Sequence, residues 1–303
     1  MLRLRLITGP LLILALLALM WGDERFDTWL RSHASGAFAG WSDPPRALLL
    51  LTAAALGIVP LAAAEAARLL RDSGLPVPTP LAIGSSVAAL LSVAVIFMQP
   101  PWPIASAVVP TVVVAVLGLS LLILSRHRSV AGVVPGAAGT LLVAVYLGVL
   151  PAFLIAIRQV WSGWVVVGIV LTIKSSDIGA YFAGRSLGRN KLIPWLSPGK
   201  TWEGLVGGVI TAAVVGGLLA LATGGAAGTG RVPVWLGAVG GALLAVVGQL
   251  GDLAESLLKR TAGAKDSGTL LPGMGGVLDV IDSLLFAAPV AWWLLLLASS
   301  SAS

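Results

Sequence analysis

The chain has 303 residues, of which 57% are apolar and only 11% charged, with a mean hydropathy of +0.98. Charged residues make up about a quarter of an ordinary soluble domain, so this composition excludes one. There is no Cys, which excludes disulfide scaffolds, thiolate metal sites and thiol nucleophiles, and leaves oxygen and nitrogen groups to carry any chemistry.

A helix needs about 20 mainly apolar residues to cross the hydrocarbon core. Nine stretches qualify in chain order: Leu6 to Trp21, Ala47 to Ala64, Leu81 to Met98, Pro103 to Leu124, Val133 to Ile157, Trp164 to Phe182, Leu205 to Ala222, Val234 to Leu253 and Val277 to Leu297. The first, preceded by Arg3 and Arg5, reads as an uncleaved span, because no small-x-small cleavage pattern follows it. The fifth is overlong and holds Pro135 and Pro151, which predicts a kink. Continuous apolarity, rather than alternation over about ten residues, argues against a β-barrel. The expected fold is therefore all-α, a polytopic integral membrane protein with about nine transmembrane helices. His33 and His127 fall in predicted loops and neither is a candidate for catalysis.

Placing the N-terminus in the cytoplasm puts thirteen Lys and Arg on the inner side and five on the outer: Arg25, Arg31, Arg46, Arg158 and Arg231. The positive-inside bias thus predicts a cytoplasmic N-terminus and an external C-terminus. Loops 183–204 and 254–276, rich in ionisable residues, then face the cytosol.

Ionisable residues within a span are costly and mark functional sites by default. Residues 1–157 place none deep in a span and read as scaffold helices; residues 158–303 hold Lys174, Asp177, Asp252, Glu255, Asp279 and Asp282 at or near span ends and read as the catalytic domain. Lys174 and Asp177 are three apart, as are Asp252 and Glu255, and Asp279 and Asp282, so each pair shares a helix face. In the predicted topology Asp252 and Asp279 end at the same depth, and four carboxylates crowd a small volume that needs a cation. Mg²⁺ suits such an oxygen-rich cluster. Alternatively, Asp279 caps its helix after Gly275 and Gly276 while Lys259, Arg260 and Lys265 neutralise the rest. Arg185, Arg189, Lys191 and Lys200 likewise suit either topology determination and anionic headgroups or a polyphosphate. The SPGKT stretch, Ser197 to Thr201, is not a Walker A loop, since the required first Gly is Pro194 and no buried strand precedes it.

Two segments carry a family resemblance. GQLGDLAESLLKRTAGAKDSGTLLPGMGGVLDVIDS, Gly248 to Ser283, resembles the signature of the phosphatidate cytidylyltransferases, and SDIGAYFAGRSLGRNKLIPWLSPGKTWEG, Ser176 to Gly204, resembles that family's upstream motif. The N-terminal half resembles the family in hydropathy only. The resemblance implies transfer of CMP from CTP to phosphatidic acid, giving CDP-diacylglycerol and pyrophosphate, with Mg²⁺ and room for a second cation. It implies membrane lipids and no nucleic acid as partners, a homodimer, and a bacterial inner membrane with the site facing the cytosol.

The same resemblance implies that Asp252 and Asp279 are the main metal ligands and that Glu255, Asp266 and Asp282 support the metal or nucleotide. Ser256, Lys259, Arg260 and Lys265 would then face phosphates, and Asp177, Tyr181, Lys200, Thr201 and Glu203 would complete the pocket. The chain departs from the family pattern at Met274, where a His is usual, and at Val280, where an Arg is usual. Because a phosphate monoester has a second pKa of about 6, the nucleophile is already ionised and the chemistry needs no general base. Other readings of the same residues are a CTP-dependent enzyme on an isoprenoid phosphate or ether lipid, an ion-coupled transporter, and an inactive homologue.

Overall fold

A computed structural model describes residues 2–33, 49–96, 102–126, 130–223 and 232–300. Met98, the expected end of the third span, and Arg46, His127, Arg128 and Arg231 of the loop reading lie outside the described residues. The fold is helical, with one small hairpin. In order, the elements are α1 (Leu2–His33), α2 (Leu49–Asp72), α3 (Thr79–Ile96), α4 (Trp102–Ser125), α5 (Val133–Ala144), α6 (Leu150–Val160), α7 (Gly163–Leu187), β1 (Lys191–Ile193), β2 (Ser197–Thr201), α8 (Trp202–Thr223), α9 (Val234–Thr261) and α10 (Leu278–Ser300).

Among the described residues, eight helices are long and apolar enough to cross a membrane, counting 133–160 as one. That stretch does not break at its prolines. Instead a π-helical turn, Val145–Val149, joins α5 to α6, and the wider turn accommodates Pro151, which has no N–H to donate and whose ring crowds the carbonyl four residues back.

Two helices outrun their apolar cores. α1 continues past Trp21 through Asp23, Glu24 and Asp27 to His33, so His33 ends a helix rather than lying in a loop. α9 continues past Leu253 to Thr261, where the i,i+4 pair Glu255 and Lys259 supports the polar last turns. Basic Lys259 and Arg260 suit the negative helix end, and Gly263 at φ 65° follows the stop.

The chain divides into two compact units, residues 1–159 with 261–280, and residues 160–260 with 281–303. In the first, α5 lies against the turn between α2 and α3, and small residues set the distance. A Cβ on Gly136 would sit 2.6 Å from the Pro76 carbonyl, and one on Gly148 would sit 2.5 Å from the Ser86 carbonyl. Such contacts let backbones approach where lipid gives no hydrophobic drive to association. The same unit holds a buried ion pair: Arg158 Nε donates to Asp23 Oδ2 at 2.6 Å with neither side chain exposed, and Glu24 lies 3.7 Å from the same guanidinium. The polar second half of α1 is thus fixed to the end of α6.

In the second unit the helices again meet through glycine. A Cβ on Gly207 of α8 would reach within 2.2 Å of Ala183 on α7, and one on Gly241 of α9 within 2.2 Å of the Ala212 carbonyl on α8. A cavity of about 390 Å³ lies among α7, α8, α9 and α10, lined by residues such as Ile169, Leu219, Leu244 and Leu294. Its lining has no titratable side chain, so the unit's acid chemistry lies elsewhere, at the last turns of α9 and the first turns of α10.

Removing one partner of a buried ion pair leaves an uncompensated charge, at a cost of about 3 to 5 kcal/mol. We therefore expect Arg158→Met to lower the melting temperature in detergent sharply and Asp23→Leu with Arg158→Met to recover most of the loss. Equal melting of the single and double variants would contradict this.

Candidate functional site

The last turns of α9 carry Asp252, Glu255, Ser256 and Lys259 within the second unit. Gly251 lets this stretch approach α10, since a Cβ there would stand 2.5 Å from the Asp282 carbonyl. One turn earlier, Gly248 faces Ser283 and Ile173 at 3.5 to 3.6 Å. The result is a group of three carboxylates, Asp252, Glu255 and Asp282, each offering an oxygen within 4.8 Å of the others. Glu255 is fully buried, Asp282 nearly so, and Asp252 half-exposed, so the group opens to its surroundings through Asp252.

Three like charges at this spacing repel unless cations intervene. Lysines supply part of that compensation. Lys200 Nζ lies 2.7 Å from Asp252 Oδ2, and Lys259 pairs with Glu255. On α7, Lys174 Nζ donates to Asp177 Oδ2 at 3.1 Å and to Ser283 Oγ at 3.2 Å. Ser256 Oγ donates to Asp252 Oδ1 at 3.4 Å.

The donor set also fits a small hard cation. It is all oxygen, the donor type that Mg²⁺ takes, and the three oxygens lie within 4.8 Å of one another. Asp252 and Glu255 come from one face of one helix, as the three-residue spacing predicts, and Asp282 comes from another.

The remaining expected site residues of the second unit sit around the hairpin. β1 and β2 pair antiparallel, Lys191 opposite Thr201, and SPGKT forms the second strand, far from a phosphate-binding loop in shape. Thr201 Oγ1 accepts the Gly204 N–H at 3.0 Å and so caps α8. Glu203 accepts the Asn190 N–H at 3.1 Å and its amide at 2.8 Å, tying the hairpin's start to α8. Backbone hydrogen bonds around this carboxylate orient it toward the hairpin. Arg260 Nε reaches the Leu196 carbonyl at 3.4 Å. Tyr181 is exposed on α7, and its phenol oxygen accepts from Arg185 at 2.7 Å.

Lys265, Asp266 and Asp279 belong to the first unit. Lys265 and Asp266 are exposed on the loop that precedes α10. Asp279 Oδ2 accepts the Gly276 N–H at 2.7 Å, the Ser267 N–H at 2.8 Å and the Ser267 hydroxyl at 2.8 Å. From the first turn of α10, Asp279 thus reaches back to the loop ahead of the helix rather than accepting a helix N–H as a cap would. A residue of α2 joins this arrangement without any signal in the sequence: Glu65 accepts from Val277 and Leu278.

A family model described as the cytidylyltransferase family matches residues 37–298, and the chain belongs to that family. It is similar to the phosphatidate cytidylyltransferase of Brucella suis biovar 1 (strain 1330), 54% identical over 118 residues that cover 39% of this chain and 42% of the relative. The phosphatidate cytidylyltransferase of Bacillus subtilis (strain 168) is 41% identical over 163 residues, 52% of this chain and 58% of the relative. That of Pseudomonas aeruginosa is 40% identical over 145 residues, 46% and 52% respectively. The chain spans about half the length of these curated relatives.

A methyl group on Gly251 would force α9 away from the Asp282 carbonyl, whereas one on Gly199 of the hairpin meets nothing within 4 Å. Overpacking of this kind costs about 1 to 3 kcal/mol. Thermal unfolding should thus show Gly251→Ala well below wild type and Gly199→Ala level with it; the reverse order would show that the helices do not meet there.

Proposed function

We propose that the protein transfers CMP from CTP to phosphatidic acid, forming CDP-diacylglycerol and pyrophosphate, as a homodimer in a bacterial inner membrane with its site facing the cytosol. The observation that carries this reading is the convergence of Asp252, Glu255 and Asp282, flanked by Lys200 and Lys259. The names of the similar proteins support the lipid substrate, and the cation asymmetry of the loops supports the cytosolic side.

In this reaction an oxygen of the phosphatidate monoester forms a bond to the α-phosphorus of CTP. The bond from that phosphorus to the bridging oxygen of the β-phosphate breaks, and pyrophosphate leaves with the electron pair. The nucleophile is ionised at neutral pH, so what the protein must supply is alignment and compensation of charge.

Asp252, Glu255 and Asp282 would hold Mg²⁺, which when bound lowers the charge on the triphosphate and on the departing pyrophosphate. Lys200 and Lys259, now paired with carboxylates of this group, are the cations placed to exchange those partners for phosphate oxygens. Ser256 keeps Asp252 oriented. Lys174, held between Asp177 and Ser283, fixes α7 against the start of α10 and keeps a positive charge beside the group. Lys265 and Asp266, exposed ahead of α10, are assigned to the phosphates and nucleotide, with Asp279 shaping their loop.

Purified protein given CTP, Mg²⁺ and phosphatidic acid should release pyrophosphate, and omission of any one should stop it. Asp252→Asn and Asp282→Asn should each reduce turnover by about 100-fold or more. Turnover near wild type in either variant would remove the carboxylate group from the reaction, and release only with an isoprenoid phosphate would reassign the lipid.

A further inference from the structure

The loop before α10 is held by residues from the opposite end of the sequence. Ser267, fully buried, is its node, and every polar group of this residue is engaged. Its N–H donates to Asp279 Oδ2, its carbonyl accepts from Arg68, and its hydroxyl lies between Asp279 Oδ2 at 2.8 Å and Glu65 Oε2 at 3.0 Å. Glu65 then spans the first turn of α10, with Oε1 accepting the Val277 N–H at 3.0 Å and Oε2 the Leu278 N–H at 2.9 Å.

A helix start offers unpaired N–H groups and partial positive charge. Here a carboxylate from another helix fills that position, and Arg68, one turn further along α2, holds the loop's backbone. The chain is shaped for this contact. A Cβ on Gly268 would stand 2.3 Å from Glu65 Oε1, and one on Gly276 would stand 2.4 Å from Glu65 Oε2. Gly275 has φ 99°, and a Cβ there would press within 2.5 Å of Asp279 Oδ2. These glycines of the signature stretch leave room for two carboxylates.

We propose that Glu65, with Arg68, is a positioning residue for cytidylyl transfer: it fixes the loop that carries Lys265. The proposal rests on the function assigned above. Glu65 acts through the backbone of residues 267–278, so its loss displaces Lys265 without removing a reacting group. Misplacement by about 1 Å can cost about 100-fold in rate. Glutamine is the informative replacement, since its amide nitrogen cannot accept and one of the N–H groups of Val277 and Leu278 loses its partner.

The experiment combines kinetics with a probe of the loop. Because the chain has no Cys, Leu270→Cys, an exposed loop position, gives a single site for a nitroxide label in otherwise intact protein. With Glu65 present the label should report an ordered loop, and with Glu65→Gln a mobile one. Pyrophosphate release should fall by about 100-fold in Glu65→Gln, yet by little when Glu65→Gln is added to Lys265→Ala, because the lysine through which it acts is gone.

A general loss of stability would instead reduce both backgrounds alike. Unchanged label mobility in Glu65→Gln, or equal losses with and without Lys265, would overturn the positioning role in an active enzyme. A wild-type protein that orders its loop but releases no pyrophosphate would overturn the assigned reaction, and with it the catalytic part of this inference, while leaving the contact itself demonstrated.

Discussion

A carboxylate in an apolar protein survives only where something of opposite polarity meets it, because an isolated buried charge costs far more than any single packing contact returns. That constraint organises both units. Asp23 meets Arg158, Asp177 meets Lys174, Asp252 meets Lys200, and Glu255 meets Lys259. Glu65 and Asp279 accept from backbone N–H groups at and just ahead of the start of α10 and from Ser267. The two solutions have different uses. A carboxylate held by fixed N–H groups shapes the chain, whereas one held by a flexible lysine can release it to another anion. In the group of Asp252, Glu255 and Asp282 three acids meet two directly paired lysines, which leaves a role for a divalent cation.

Much of this was legible in the sequence, for reasons that differ by element. The helices were, because about 20 apolar residues in a row admit few alternatives. Their ends were less so: α1 and α9 run on through polar turns that hydropathy counts as loop, and what keeps them helical is an ion pair, with Arg158 for α1 and within the helix for α9. The π turn was signalled only as a generic kink in a stretch holding Pro135 and Pro151. The hairpin was not visible at all, since β1 and β2 have three and five residues with Pro194 between them and Pro198 inside.

Within the site, the helical spacing of Asp252 and Glu255 announced a shared face, and Asp282 was marked by its place in an apolar span. Glu65 was not readable, for a physical reason. It lies one residue past an apolar stretch and two hundred residues from the groups it serves, and those groups are backbone N–H, which every residue but proline possesses. A side chain that binds backbone leaves its trace in what its neighbours lack. Here the trace is the absence of Cβ at Gly268 and Gly276, where a side chain would displace the carboxylate of Glu65.

Met274, a departure from the signature that the chain resembles, lies in the same loop. Residue 274 sits between Gly273 at φ 80° and Gly275 at φ 99°, and its N–H donates to the Leu271 carbonyl at 3.0 Å. The turn is thus made by the glycines on either side and by a backbone bond that any non-proline residue can form. What lies beyond it, the Asp279 carboxylate and the first turn of α10, depends on Gly275 and Gly276 for space. A change at position 274 therefore leaves the path of the loop intact, whereas a side chain at 275 or 276 would displace a carboxylate that holds it. In the proposed transfer the acceptor is already ionised, so a turn that keeps its shape makes Met274 compatible with that reaction.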